Sequence, residues 1–78
     1  MVFEQVKKII SKKKSIKEEI ISLETRLKED LNLDSFDAVE IVIELEKTFK
    51  IKISDETMQQ FKTIKDVVDH IKSVLLYF

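Results

Sequence analysis

Apolar residues recur along this chain at three- and four-residue intervals with polar residues between them, the spacing of helices that bury one face. Val2, Val6, Ile9 and Ile10, with Phe3 beside them, predict a first amphipathic helix that fades near Lys14. In Ser15-Ile16-Lys17-Glu18 a serine precedes a glutamate by three residues, the spacing of a capping box, which predicts a short turn capped by Ser15. From there to Leu33 the pattern gives a long first loop, pinned to the core by Ile16, Ile20, Ile21, Leu23, Leu27 and Leu31. Asn32 tolerates left-handed backbone better than most residues and is the expected sharp bend.

A second helix is expected over Ser35 to Phe49. Val39, Val42, Leu45 and Phe49 follow one face at spacings of three, three and four, widened by Ala38 and Ile41. Phe36 and Ile43, seven residues apart, fall together on the outward side among Asp37, Glu40, Glu44 and Lys47. An exposed apolar pair inside an acidic ring is a candidate docking surface. Ile51 and Ile53 alternate with Lys50 and Lys52, but no second alternating segment exists to pair with them, so no strand is expected. Ser54-Asp55-Glu56 opens a short third helix with Met58 and Phe61 inward. Thr63 caps a last helix whose stripe is Ile64, Val67, Val68, Ile71, Val74 and Leu75. The expected fold is all-α: a single domain over residues 1–78, built as a small four-helix bundle of three longer helices and one short third helix.

Composition narrows the chemistry. The chain has 78 residues, 44% hydrophobic and 37% charged, with no Gly, no Pro and no Cys. Without cysteine there is no disulfide, thiolate zinc site or cysteine nucleophile, and a single His removes most acid–base constellations. His70, between Asp66 and Val74 on the last helix, reads as a boundary residue rather than a ligand. Asp37, Glu40 and Glu44 share a helical spacing, but without histidine support or a backbone bulge they predict no metal site. The expectation is therefore a non-catalytic protein that borrows its chemistry. Glu4, Lys7 and Lys8 interrupt the opening stretch, so neither a secretory signal nor a membrane anchor is expected there. Leu75-Leu76-Tyr77-Phe78 is far short of the ~20 apolar residues of a spanning helix. A cytoplasmic monomer without stable membrane insertion is expected, its Leu76-Tyr77-Phe78 end packing on the first helix or meeting a neighbour.

The net charge of -1 conceals a segregation. Met1 to Lys28 holds eight bases against four acids, +4, whereas Glu29 to Glu46 holds seven acids and no base, -7. The remainder, from Lys47, holds six bases and four acids, +2. An uninterrupted acidic stretch attracts a basic partner surface and repels nucleic acid, which is not an expected partner. Lys12-Lys13-Lys14 lacks interleaved aromatics and arginines and reads as a solvated helix end.

Asp34-Ser35 opens the second helix, and Asp34 followed by Asp37 has a capping-box-like spacing. The segment Glu29-Asp30-Leu31-Asn32-Leu33-Asp34-Ser35-Phe36-Asp37-Ala38-Val39-Glu40-Ile41-Val42 resembles the acyl carrier protein family. So do Leu45-Glu46, Phe49, Ile53-Ser54-Asp55-Glu56 and Phe61-Lys62-Thr63-Ile64-Lys65-Asp66-Val67-Val68. The resemblance implies that Ser35 receives a covalent 4'-phosphopantetheine from coenzyme A through a phosphopantetheinyl transferase, and then carries acyl groups as thioesters in fatty acid biosynthesis. It implies that Asp34, Phe36, Asp37, Glu40, Ile43 and Glu44 meet basic patches on acyl-transfer and synthase enzymes. It also implies an acyl pocket lined by Val39, Val42, Phe49, Ile53, Met58, Phe61 and Ile64. The pattern departs from the usual carrier at Asn32, Phe36, Lys47 and Ser54, where glycine, leucine or methionine, an uninterrupted acidic helix and proline are common. A D-alanyl or other specialised polyketide or peptidyl carrier, and an unmodified helical adaptor, remain open alternatives.

Overall fold

The computed structural model describes residues 2–76, in the order α1 (Val2–Lys14), a 3-10 turn (Glu18–Ile20), α2 (Ser35–Phe49), α3 (Asp55–Gln60) and α4 (Ile64–Leu75). The all-α bundle expected from the apolar spacing is the observed fold, with no strand among the described residues. α1 packs against both α2 and α4. Their inward residues, Val6 and Ile10, Ile41 and Leu45, and Ile64, Val67, Val68 and Ile71, form one buried cluster. The connections complete it: Ile21, Leu31 and Leu33 come from the first loop, Ile51 and Ile53 from the segment before α3. α3 buries no residue fully and leans on the core through half-buried Met58.

The long first loop is stitched to the start of α4. The Ile64 and Lys65 amides, which a helix start leaves without partners, donate to the Thr25 and Leu23 carbonyls at 3.0 and 2.9 Å. The Leu27 amide donates to the Lys62 carbonyl at 2.9 Å, closing an isolated bridge between Arg26 and Thr63. Thr25 is buried, and its hydroxyl accepts from the Ser22 amide at 2.8 Å. With Leu31 and Leu33 seated in the core, the chain arrives at Asp34 in a fixed place.

A chain without glycine must turn with other residues, and it does so at three positions: Ser15, Asn32 and Lys50 have φ of 55°, 56° and 56°. Asn32 is the predicted bend. Ser15 corrects the sequence reading, because it ends α1 instead of capping the next turn. The Ile16 amide reaches back to the Ser11 carbonyl at 3.1 Å, and a residue in left-handed backbone lacks the extended conformation that an N-cap needs. The 3-10 turn starts after Lys17 with no side-chain cap. Ile20 is also corrected: it is exposed while Ile21 is buried, since Ile20 ends the turn and Ile21 follows it in extended backbone, so the two side chains point apart and only one faces the core. At the far end of α4 Val74 is half-buried, Leu75 and Leu76 are exposed, and Tyr77 and Phe78 lie outside the described residues.

Lys50 closes α2 in the same way as Ser15 closes α1, with the Ile51 amide on the Glu46 carbonyl at 3.2 Å. Left-handed backbone costs a residue with a Cβ about 1–2 kcal/mol, partly offset in Lys50→Gly by the larger unfolded-state entropy of glycine. Lys50→Gly is therefore expected to stabilise the fold by about 0.5–1 kcal/mol, read as a higher urea midpoint at unchanged slope. Ile71→Ala removes a fully buried side chain and should cost about 2–5 kcal/mol, much of the total for a chain this short.

The Asp66 carboxylate accepts from the Lys62 and Thr63 amides at 2.9 and 3.1 Å, and these bonds, the Lys62 amide foremost, hold it below its ordinary value of 3.8. A carboxyl with a depressed folded-state value stabilises the fold above its unfolded value, and that contribution is lost as pH falls through the folded one. Asp66→Asn is expected to flatten the fall in thermal midpoint as pH drops below the ordinary carboxylate value; an unchanged acid limb would count against this role.

Candidate functional site

The start of α2 is held by two aspartates that cap it reciprocally. Asp34 is extended at φ -96° and ψ -176°, and its Oδ1 accepts from the Asp37 amide at 2.8 Å. Asp37 Oδ2 accepts in return from the Asp34 amide at 3.3 Å. The Asp34 carbonyl takes the Ala38 amide at 3.0 Å as the first helical bond. Ser35 is the first residue of the helix and is exposed. Its own amide and that of Phe36 have no acceptor within the helix, so the serine sits beside two free N–H groups and the positive end of the helix dipole. Among the described residues no group hydrogen-bonds to the Ser35 hydroxyl.

No base is paired with the hydroxyl, and His70 on α4 packs edge-on against the Phe61 ring with centroids 5.6 Å apart. No cluster of His, Asp or Glu among the described residues is arranged to hold a metal ion. An exposed hydroxyl, two free amides and a capping carboxylate turned back onto Asp37 fit a phosphodiester on the serine oxygen.

The acids of α2 divide by what holds them. Lys14 Nζ lies 3.0 Å from Asp37 Oδ2, and Lys13 Nζ lies 3.5 Å from Glu40 Oε1. Lys14 first, and the Asp34 amide second, hold the Asp37 carboxyl below the usual carboxylate range. Glu46 turns inward, where its Oε2 accepts from the Ile53 amide at 2.8 Å and holds the segment before α3 against α2. Glu44 makes no ion pair among the described residues. The lysine pairs correct the reading of Lys12-Lys13-Lys14 as a merely solvated helix end. The opposite charges of the two segments hinted at attraction, but the register of α1 on α2 was not in the local pattern.

Phe36 and Ile43 are outward as expected, at 69% and 45% exposure, and Val39 joins them at 44%. The inward placement of Val39 is thereby corrected. The buried arc of α2 centres on Ile41 and Leu45, and a residue two positions from Ile41 points about 160° away from it. Phe36, Val39 and Ile43 form an apolar ridge at spacings of three and four beside Glu40 and Glu44. Of the other residues expected around an acyl chain, Ile53 and Ile64 are buried, and Val42, Phe49, Met58 and Phe61 are half-buried against the same core. The structure thus gathers six of the seven expected residues inward and leaves Val39 on the outward face, 44% exposed.

Comparison with known proteins agrees with this geometry. A family profile described as "Phosphopantetheine attachment site" matches residues 4–71. An acyl carrier protein of Onion yellows phytoplasma (strain OY-M) is 55% identical over 71 residues, covering 91% of this chain and 93% of that protein. One from Coprothermobacter proteolyticus is 45% identical over 74 residues, covering 95% and 90%. Among solved structures, an acyl carrier protein from Enterococcus faecalis is 39% identical and covers 92% of this chain and 91% of its own, with a TM-score of 0.80. With a family profile matched over residues 4–71 and identity of this extent over nearly the whole chain, the chain belongs to the acyl carrier protein family.

Proposed function

We propose that Ser35 Oγ is the attachment point of the 4'-phosphopantetheine arm, and that the chain acts as a cytoplasmic, monomeric, non-catalytic carrier in fatty acid biosynthesis, the usual setting of its family. The arm supplies a terminal thiol on which acyl groups ride as thioesters, a function that this cysteine-free sequence has no side chain to provide. The observation that carries the assignment to Ser35 is its free, exposed hydroxyl at a helix start whose cap is another residue. The Ser35 and Phe36 amides and the helix dipole offset the negative charge of a phosphodiester on that oxygen. Activation of the hydroxyl falls to the modifying transferase, since no base in the chain is paired with it. Among the described residues no helix is long and apolar enough to cross a membrane.

The outward face of α2 is the proposed docking site for the transferase and for the acyl-transfer and synthase enzymes. Asp37, Glu40 and Glu44 attract basic surfaces over distance, and the Phe36, Val39 and Ile43 ridge gives contact area. Asp34 contributes through the cap. The proposed acyl pocket is formed by Val42, Phe49, Ile53, Met58, Phe61 and Ile64, which turn to the core while the ridge faces outward.

Coexpression with a phosphopantetheinyl transferase, read by intact mass spectrometry, is expected to add one phosphopantetheine to the protein and none to Ser35→Ala. Because Asp34 caps α2, Ser35→Ala should keep its circular dichroism and thermal midpoint, so that loss of the mass gain reports the missing oxygen. An unmodified adaptor would show no gain in either protein. Loading the holo-protein with a medium-length acyl group is expected to move the backbone amide resonances of Val42, Met58 and Phe61 and to leave Val39 in place. Shifts confined to the Phe36–Ile43 ridge would put the chain on the surface instead.

A further inference from the structure

Docking through the acids of α2 meets two contacts already in place, because two of those acids are occupied from within the molecule. Lys13 sits on Glu40 at 3.5 Å and Lys14 on Asp37 at 3.0 Å, the positions that a basic partner would take. Both pairs are partly solvated, with lysine side chains 35% and 26% exposed, so they are exchangeable contacts and not a sealed ion pair. The hydrogen bonds to the Asp37 carboxylate all end on Oδ2, which takes both Lys14 Nζ and the Asp34 amide and leaves Oδ1 open.

We propose that Lys13 and Lys14 are selectivity residues, bound competitors on the docking carboxylates that admit partners presenting guanidinium groups and exclude those presenting isolated ammonium groups. The proposal rests on the reading of α2 as the docking face. A partner lysine that displaces Lys13 or Lys14 exchanges one ammonium–carboxylate contact for another and gains nothing at that position. A partner arginine gains, because its planar fork reaches both oxygens of a carboxylate while an ammonium acts as a point charge. The competitor is fixed to a helix packed on α2 and so is always present at the site. Glu44, without an ion pair among the described residues, supplies the first attraction before the exchange takes place.

The test uses the full chain and a transferase whose carrier-binding surface presents arginines, with kcat/KM for modification measured at low and high salt. Lys13→Gln/Lys14→Gln is expected to raise kcat/KM several-fold at low salt through KM, with kcat unchanged and the gain shrinking at high salt. Lys13→Arg/Lys14→Arg keeps the net charge but strengthens the competitor, and should lower kcat/KM. Lys8→Gln/Lys12→Gln removes the same charge from exposed lysines that make no ion pair among the described residues, and should change little. A purely structural tether between α1 and α2 predicts no gain from the Gln pair and no loss from the Arg pair. Equal gains from both Gln pairs, or an Arg variant indistinguishable from wild type, would overturn the proposal. Glu44→Gln separates the two levels. If it slows modification while the Lys13 and Lys14 variants do nothing, the competitor idea alone falls. If Glu44→Gln also changes nothing, the docking face falls with it.

Discussion

The availability of Ser35 depends on a division of labour between two adjacent residues. A serine at a helix start ordinarily serves as the cap, its oxygen accepting a backbone N–H two or three residues on. Here Asp34 takes that duty: its Oδ1 accepts the Asp37 amide, and Asp37 returns the bond to the Asp34 amide. Ser35 is moved one position into the helix, where its hydroxyl is exposed and free. The same reciprocal pair keeps the first turn from fraying, so the backbone that carries the accessible oxygen is held beside the two free amides. Lys14 extends the arrangement to α1 by pairing with the Asp37 oxygen that closes the cap.

That helix start is placed by a loop that is ordered despite its irregular path. Its carbonyls at Leu23 and Thr25 satisfy the first amides of α4, so the loop and the fourth helix each complete hydrogen bonds that the other would otherwise lack. Ile21, Leu31 and Leu33 then bury along it, the last of these immediately before Asp34. The turns at Ser15, Asn32 and Lys50 show what a chain without glycine does at tight corners. It accepts left-handed backbone at residues with a Cβ, and recovers part of the cost through the amides that follow, as at Ile16 and Ile51.

The features legible in the sequence are those fixed by local rules. Caps at Asp34, Ser54 and Thr63 mark where α2, α3 and α4 begin, and Asn32 marks the bend, because each depends on residues within one helical turn. Ser15 was misread because a serine followed by glutamate at three satisfies a capping pattern equally well when the serine ends the preceding helix. Val39 was misread because spacings of three and four are compatible with two neighbouring phases of one helix. Only the contacts that bury Ile41 and Leu45 decide between them. The pairing of Lys13 and Lys14 with α2 was beyond local reading, since it depends on how two helices separated by a long loop lie against each other.

The acidic run looks different once its partners are known. Asp30 pairs with Arg26 at 3.0 Å, Asp34 caps, Asp37 and Glu40 hold lysines, and Glu46 holds the Ile53 amide. Glu29 and Glu44 alone in that stretch make no such contact among the described residues. Much of the -7 segment is thus committed to holding α2 in place, and the near-neutral total charge is partly a local balance across the α1–α2 contact. Exposed pairs of this kind are weak enough to reopen, so carboxylates that stabilise the free protein can be lent to a partner without unfolding the helix start. The apolar ridge of Phe36, Val39 and Ile43 needs no such exchange, because no side chain of the free protein covers it beyond partial contact. A surface that combines displaceable ion pairs with a standing apolar ridge separates the two requirements of a carrier. In the proposed docking, charge exchange selects the enzyme that is admitted, and the modest apolar area lets each one leave after the transfer.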